Sequence, residues 1–334
     1  MSVRYVFVSV RSGRYPGVSG GLNYLDSRVH DRILEKKRRL DAHRPLTSST
    51  VRKVQREMEL EYIFNSNAIE GNTIKLRETQ LILERGLTIQ GRSPREHLEV
   101  RNHPRAIKYV ERMTRRALRE QDILVLHQII MKGIDDEAGR FRTAEVRIAG
   151  AEFIPPPAYE IPHLIRKLVD WCNRNPDELR PIELAAILHH RLAWIHPFHD
   201  GNGRVARLLM NLVLTRSGYP IAVILNVDRS KYYDTLKKAD NGDPTSFVNF
   251  AASAVERSLE LYLRASEPTG KQDRLLSLSE AAKMTPYTQE YLSLLARKRR
   301  IAAVKVGRTW MVTEREVHRY LKEAQGGRPH HQRD

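Results

Sequence analysis

The sequence predicts a largely α-helical body followed by a small module of helices and a hairpin. From Thr50 onward, apolar residues recur at three- and four-residue steps along most of the chain, and one convincing strand pair interrupts them. After a polar stretch at 266–273 that contains both Pro and Gly, the pattern changes to short helices and alternating strands. We interpret 266–273 as a linker between two domains.

Composition narrows the classes of function. The 334 residues carry a formal net charge of +17, which suits a polyanionic partner such as nucleic acid, nucleotide phosphates or an acidic protein surface. The single cysteine, Cys172, excludes an intramolecular disulfide and favours a reducing compartment. No stretch has the apolar length of a signal peptide or a membrane span, so we expect a cytoplasmic protein without a membrane partner.

Each element of the body follows from the pattern. Residues 1–49 are interpreted as an N-terminal arm, because 11–22 are rich in Gly and Ser and show no period. The body itself is assigned to 50–265, and its first helix starts behind Thr50, a plausible N-cap, and runs to about residue 72. Further helices are predicted at 77–85, 95–117, 120–132, 161–174 and 181–195. The strand pair forms a hairpin at 145–154, closed by three prolines at 155–157 that cannot continue a ladder.

A short loop between two apolar helices has the features of an anion site. One helix ends at His196-Pro197, and an apolar stripe resumes at Val205. Gly201 and Gly203 allow consecutive backbone N–H groups to point at one spot where a helix begins, which forms a cradle for phosphate.

Side chains around this cradle supply the remaining groups for phosphate chemistry. Arg204 and Arg207 are three residues apart on the helix and can reach the same phosphates. Asp200 offers a hard oxygen ligand for a Mg²⁺ ion held mainly by phosphates and waters. His196 can act as a general base toward an incoming hydroxyl group. The arrangement predicts phosphoryl or nucleotidyl transfer.

The segment HPFHDGNGRVAR at 196–207 matches the signature of the Fic family at every fixed position. The resemblance implies an all-α Fic fold with a small β-hairpin flap, and an enzyme that transfers AMP from ATP to Ser, Thr or Tyr hydroxyls of target proteins. It also implies that His196 takes the hydroxyl proton and that Asp200 holds the metal. Asn202 and the backbone of Gly201 and Gly203 would bind the α- and β-phosphates.

The resemblance further assigns the two arginines and a brake on the reaction. Arg204 and Arg207 would hold the outer phosphates, with Arg207 directed at the γ-phosphate. Related phosphorylating toxins carry lysine where this chain has Gly203, so the chain is similar to the AMP-transferring members. The segment SNAIEGN at 66–72 resembles the Fic inhibitory motif, which implies that Glu70 pairs with Arg207 and obstructs the γ-phosphate. Some Fic enzymes use the same glutamate to remove AMP, which leaves that second activity open; the alternative is a solvated carboxylate at a helix end.

Two further segments resemble parts of the family. Residues 229–243 are similar to the segment that lines the adenine pocket, with Tyr232 and Tyr233 at the aromatic pair, although both could equally be helix core residues. Asp240 stands where some relatives have Asn. The hairpin at 145–154 matches the flap that holds the target by backbone pairing, with a plain surface hairpin as the alternative.

Three other histidines are interpreted as packing or surface residues. His189, His190 and His199 lack the His-Glu-x-x-His spacing of a zinc site on a helix.

The module at 274–325 reads as helix, helix, wing, helix. Ser277 to Glu280 and Thr313 to Glu316 have capping-box spacing, and strands are predicted at 303–306 and 309–312. The segment resembles small winged helix-turn-helix domains, which implies possible DNA contact through basic residues. The candidate phosphate contacts are Arg297, Lys298, Arg299, Arg300, Lys305 and Arg308. Winged helices also bind proteins, so a protein partner stays open, and residues 326–334 are interpreted as a disordered tail.

The leading interpretation is a self-inhibited protein adenylyltransferase that uses ATP and Mg²⁺. The alternative is a nucleotide-sensing, DNA-binding transcriptional regulator. The sequence does not identify the target protein, and it leaves a homodimer open.

Overall fold

The computed structural model describes residues 24–46, 49–147, 153–266, 275–298, 300–306 and 309–326. Within this part of the chain the fold is mostly helical, with one small sheet. The helices are α1 (Ser27–Ala42), α2 (Ser49–Ile69), α3 (Leu76–Arg85), α4 (Pro94–Met113), α5 (Glu120–Met131), α6 (Ile161–Arg174), α7 (Pro181–Ile195), α8 (Asn202–Arg216), α9 (Arg229–Asp240), α10 (Thr245–Ser266), α11 (Leu278–Ala282), α12 (Gln289–Arg297) and α13 (Glu314–Gly326). The strands are β1 (Leu275–Ser277), β2 (Ala303–Val306) and β3 (Thr309–Thr313).

The chain divides into two compact units. The first comprises 1–37 and 62–259, and the second comprises 38–61 and 260–334, so the boundaries fall inside α1, α2 and α10. Much of the predicted arm, nearly all of the linker and most of the tail lie outside the described residues. The predicted domain boundaries therefore stay predictions.

Helices α7 and α8 form the centre of the first unit. In α7 every residue from Ala185 to His190 is buried, and in α8 every residue from Arg204 to Leu214 is buried. A helix that is buried on all faces must be surrounded by other elements, and α4, α5 and α6 pack against this pair. The start of α8 is therefore held rigidly, which is what an anion site at a helix N-terminus requires.

The predicted helices of the body are confirmed with small shifts at their ends. The predictions at 161–174 and 181–195 agree with α6 and α7 at both ends. The helix α1 was not predicted, because its sequence is rich in Lys and Arg. Its apolar residues Ile33 and Leu40, seven residues apart, are nevertheless fully buried.

The hairpin predicted at 145–154 falls largely outside the described residues. Residues 148–152 are not described, and 145–147 and 153–157 carry no strand assignment. The flap therefore stays a prediction.

The second unit contains the C-terminal module. Its antiparallel sheet has the order β1-β3-β2, with Leu275 opposite Thr313 and Ala303 opposite Val312. The predicted second helix, wing strands and last helix are confirmed, and both capping boxes form hydrogen bonds at their N-caps. The first helix starts at Leu278, directly behind the Ser277 cap. The strand β1 was not predicted, since three residues are too few to show a period of two.

Candidate active site

The loop between α7 and α8 has a fixed backbone. His196 ends α7 in the left-handed region, at φ 51° and ψ 58°, and Gly201 has φ 79° just before α8 begins. The Asn202 amide accepts from the Phe198 N–H at 3.0 Å and donates to the Phe198 carbonyl at 2.8 Å. The predicted loop is confirmed. Because both polar atoms of Asn202 close the loop, its predicted phosphate contact stays a prediction.

The His196 ring is oriented for use as a base. Its Nδ1 lies 3.2 Å from the Ala193 carbonyl, which only accepts, so Nδ1 carries the proton and Nε2 keeps its lone pair. Burial lowers the pKa of His196, and the charge of Arg142 lowers it further against the opposing effects of Glu70 and Asp200. The imidazole is therefore neutral at neutral pH, as a general base must be.

Asp200 sits among donors. Its Oδ1 accepts from the Gly201 N–H at 2.5 Å and lies 3.2 Å from Nη2 of Arg204, and its Oδ2 contacts Arg95. Burial raises the pKa of Asp200, but Arg204, the Gly201 amide and Arg95 together outweigh burial, so the pKa lies below its ordinary value. The carboxylate is ionised and partly exposed. The described residues contain no cluster of three metal-ligating side chains. A lone carboxylate fits a Mg²⁺ ion whose other ligands are phosphates and waters.

His127 supports this loop and was missed by sequence reasoning. Its Nδ1 accepts from the Gly139 N–H at 2.9 Å, and its Nε2 lies 3.1 Å from the Asp200 carbonyl. Its ring stacks on Phe198 with centroids 3.7 Å apart, and burial lowers its pKa to about 4. A neutral His127 therefore fixes the backbone of Asp200. No motif around His127 distinguishes it from other core histidines.

Arg204 is held between two carboxylates. Its Nη1 lies 3.1 Å from Glu99 Oε1, in addition to its contact with Asp200, and its side chain is 1% exposed. The second oxygen of Glu99 accepts from Asn72 at 2.8 Å. Glu99 was not predicted, since one glutamate in a charged helix gives no signal. Glu99 therefore links Asn72, two residues after Glu70, to Arg204, the first arginine of the signature.

Arg207 is as enclosed as Arg204, with its side chain 1% exposed. Its Nη2 donates to the Glu70 carboxylate at 2.7 Å and to the Ser66 carbonyl at 2.8 Å, and its Nε donates to the Ser66 hydroxyl at 3.0 Å. Burial lowers the pKa of Arg207, but Glu70, Tyr232 and Tyr62 together outweigh burial, so the pKa is raised. The structure thus brings together the predicted pair of Glu70 and Arg207.

The Glu70 carboxylate also occupies the cradle. It follows the end of α2 at a turn in which Gly71 has φ 98°, as expected for a residue that ends a helix. A Cβ atom on Gly203 would lie only 2.2 Å from Glu70 Oε1. The carboxylate therefore lies against the backbone at the N-terminus of α8, where the sequence places phosphate.

The two candidate adenine residues differ in environment. Tyr232 is buried, and its hydroxyl lies 3.3 Å from Nη1 of Arg207 and 3.0 Å from Nε2 of His189. Tyr233 is 42% exposed, with the Arg229 guanidinium 5.3 Å from its ring centroid. Tyr232 is thus a core residue that supports Arg207, and the exposed ring of Tyr233 is better suited to stacking on a base.

The other histidines lie where packing and surface roles place them. His189 is buried against Tyr232. The Nε2 of His190 lies 2.9 Å from the carboxylate of Asp240, the residue that stands where some relatives have Asn. His199 is exposed and lies 3.5 Å from Glu137.

In the C-terminal module, four of the predicted phosphate contacts are exposed: Arg297, Lys298, Arg300 and Lys305. Arg299 and Arg308 lie outside the described residues. The exposed cations belong to the end of α12, the turn after it and β2.

Comparison with known proteins assigns the family. A model of the Fic/DOC family matches residues 117–214. The crystal structure of a Fic domain containing signaling protein from Bacteroides thetaiotaomicron is 32% identical, covers 72% of this chain and 99% of that one, and has a TM-score of 0.67. The chain belongs to the Fic/DOC family. This agrees with the resemblance in 196–207 and with the helical fold. A helix-turn-helix domain model also matches residues 275–325, in agreement with the C-terminal prediction.

Curated Fic relatives carry the name protein adenylyltransferase. The one from Nematostella vectensis is 36% identical over 264 residues, which are 77% of this chain and 61% of that protein. The one from Drosophila willistoni is 38% identical over 251 residues, 72% of this chain and 50% of that protein. The chain spans about half to three fifths of the length of these relatives. No helix among the described residues could cross a membrane.

Proposed function

We propose that this Fic/DOC protein is a protein adenylyltransferase that transfers AMP from ATP to a Ser, Thr or Tyr hydroxyl of a target protein. The observation that carries the proposal is the placement of a neutral His196, with Nε2 available, beside a helix N-terminus lined by Asp200, Arg204 and Arg207. The names of the curated relatives support the same activity.

The chemistry requires one bond to form and one to break. The target hydroxyl oxygen attacks the α-phosphorus of ATP, the bond from that phosphorus to the oxygen bridging the β-phosphate breaks, and pyrophosphate leaves. The hydroxyl proton goes to Nε2 of His196, because Nδ1 is already protonated and held by Ala193. The amides at Gly201 and Gly203 and the two arginines stabilise the charge that develops on the phosphates.

A Mg²⁺ ion would be held on the protein side by Asp200. When bound, the ion neutralises charge on the nucleotide phosphates and favours the departure of pyrophosphate. Arg95 contacts the same carboxylate, so a metal ion bound there would compete with the Arg95 guanidinium for Asp200.

The Glu70 contact supports a self-inhibited resting state. A carboxylate that pairs with Arg207 and lies against Gly203 competes with the γ-phosphate for the same guanidinium and the same amides. Removal of AMP from a modified target, the second activity that the sequence leaves open, would use the same carboxylate to activate a water.

Differently labelled ATP tests the transfer. The Glu70→Gly protein is incubated with cell extract and with ATP labelled at either the α- or the γ-phosphate, and proteins are separated by electrophoresis. Beyond the label seen in the control, we expect label in protein from α-labelled ATP only. Label from γ-labelled ATP in excess of the control would indicate phosphorylation by this protein, and no excess label from either donor would contradict nucleotidyl transfer. The Glu70→Gly/His196→Ala protein is the control for labelling by other enzymes of the extract.

The C-terminal module favours a second candidate, a nucleotide-sensing DNA-binding regulator. The match to a helix-turn-helix domain and the exposed Arg297, Lys298 and Arg300 support DNA binding through 274–325. A gel shift with genomic fragments at two salt concentrations tests this role. A shift without AMP transfer would favour the regulator, and a shift together with transfer would assign both roles to one chain.

The proposal also covers the cellular location of the protein and the segment that binds the target. ATP as donor and a single, buried thiol at Cys172 favour the cytoplasm. The target is taken to bind at 145–154, and a homodimer stays open.

A further inference from the structure

Arg142 is a buried cation in the segment that precedes the predicted flap. Its side chain is among the largest that are fully buried, with the residue 2% exposed. Among the described residues, no carboxylate lies within ion-pair distance of it, and Glu145 acts on it only at longer range. Burial accordingly lowers the pKa of Arg142. A guanidinium is costly to bury unless its donors are satisfied, so its hydrogen bonds show what it does.

Each part of the Arg142 fork donates to a different backbone carbonyl. Nε donates to the His196 carbonyl at 2.8 Å, Nη1 to Ala144 at 2.9 Å and Nη2 to Pro156 at 2.6 Å. The backbone N–H of Arg142 donates to the Pro197 carbonyl at 2.9 Å. Ala144 directly precedes 145–154, which the sequence assigns to target binding, and Pro156 lies two residues after its end.

The hydrogen bond from Arg142 reaches His196 at a residue with a left-handed backbone conformation. His196 is one of three described non-glycine residues with a positive φ, and a non-glycine residue in the left-handed region persists only where its surroundings hold it there. Its N–H is held by Leu192 and its carbonyl by Arg142. The orientation of the imidazole therefore depends on both bonds.

We infer that Arg142 is a positioning residue that fixes the carbonyl of His196 to both ends of the target-binding segment, so that one guanidinium aligns the general base with the target hydroxyl. This inference rests on the proposed transferase activity. It assigns Arg142 no contact with ATP, because its partners lie at the end of α7 and around the flap, not at the N-terminus of α8. Arg142 therefore acts on turnover and target use, and leaves nucleotide affinity unchanged.

Substitution in the Glu70→Gly background separates geometry from charge. Arg142→Lys keeps the cation but lacks the planar fork, and Arg142→Gln keeps planar amide donors without the charge. We expect kcat for target modification to fall by about 10- to 100-fold in both, with the Kd for ATP unchanged, since small misplacements of a catalytic group cost that much. The matched control is Arg140→Lys, because Arg140 is exposed two residues away, and its rate should stay unchanged.

The pH profile separates the charge of Arg142 from its hydrogen bonds. The charges acting on His196 are Arg142, which lowers its pKa, and Glu70 and Asp200, which raise it. In the Glu70→Gly background, Arg142→Gln should therefore shift the acidic limb of kcat/KM to higher pH, and Arg142→Lys should leave it in place.

The outcomes separate this inference from the proposed function. No transfer by Glu70→Gly itself refutes the transferase proposal. Transfer by Glu70→Gly with an unchanged kcat in both Arg142 variants refutes the positioning role alone. Loss of ATP binding in both variants, in parallel with a lowered Tm, also counts against it, because Arg142 would then support the fold as a whole.

Discussion

Replacing Glu70 by glycine should release the transferase from its brake. The Glu70 carboxylate lies 2.7 Å from Nη2 of Arg207 and is 26% exposed, whereas Arg207 is 1% exposed. A hydrogen bond to a charged group is worth about 1.5 to 3 kcal/mol. If the γ-phosphate must displace that bond before reaction, removing Glu70 accelerates transfer by about 10- to 150-fold, at 1.36 kcal/mol for each factor of ten.

The fold should tolerate this change. Arg207 keeps the Ser66 hydroxyl and carbonyl and the Tyr232 hydroxyl as hydrogen-bond acceptors, so its charge is not left bare. The side chain of Glu70 follows the end of α2 and is not part of the helix. Glu70→Gly should therefore still unfold in one cooperative thermal transition, with its free energy of unfolding lowered by no more than the about 1.5 to 3 kcal/mol of that one hydrogen bond.

Initial rates of AMP incorporation from α-labelled ATP measure the release. Glu84→Gly is the matched control, because Glu84 is an exposed glutamate of α3 outside the site. We expect the increase for Glu70→Gly and no increase for Glu84→Gly. Equal rates for wild type and Glu70→Gly would refute the reasoning that the carboxylate competes with the phosphate.

Three further predictions follow from the site and the C-terminal module. In a pH–rate profile, kcat/KM should fall to half of its maximum on the acidic side at a pH below 6.5, because burial lowers the pKa of His196 and the base acts only when neutral. A half-maximal point above pH 6.5 on that side would contradict this prediction. Asn202→Ala should lower the free energy of unfolding by about 1 to 3 kcal/mol in urea denaturation, since it leaves the Phe198 N–H and carbonyl unpaired; an unchanged midpoint contradicts it. For the binding of DNA, Lys298→Ala and Arg300→Ala should each make the plot of log association constant against log salt concentration shallower by about 0.9, as expected for one lost phosphate contact. Unchanged slopes would indicate that neither residue contacts DNA.

Sequence reasoning predicted what is local along the chain. The loop at 196–204, the helices on both sides and the wing strands follow from glycines, prolines and apolar periods, all of which are readable within a few residues. The pairing of Glu70 with Arg207 joins residues 137 positions apart, and it was predicted only because both lie in family motifs.

Contacts without a local signal were missed. His127, Glu99 and Arg142 support the site through bonds to backbone or to buried partners in other elements. The sequence around a histidine, a glutamate or an arginine is the same whether its side chain faces solvent or binds a loop, so it carries no signal of the contact. The helix α1 was missed for a related reason, since its buried residues are few and its exposed ones are strongly basic.

The mass of a target peptide after incubation with ATP tests the central claim most directly. Glu70→Gly protein is incubated with ATP, Mg²⁺ and cell extract, and peptides are analysed by mass spectrometry beside a sample treated with Glu70→Gly/His196→Ala protein. The account predicts Ser, Thr or Tyr residues that have gained one AMP group only where His196 is intact. A gain of a lone phosphate that depends on His196, or AMP on the same residues in both samples, would contradict it.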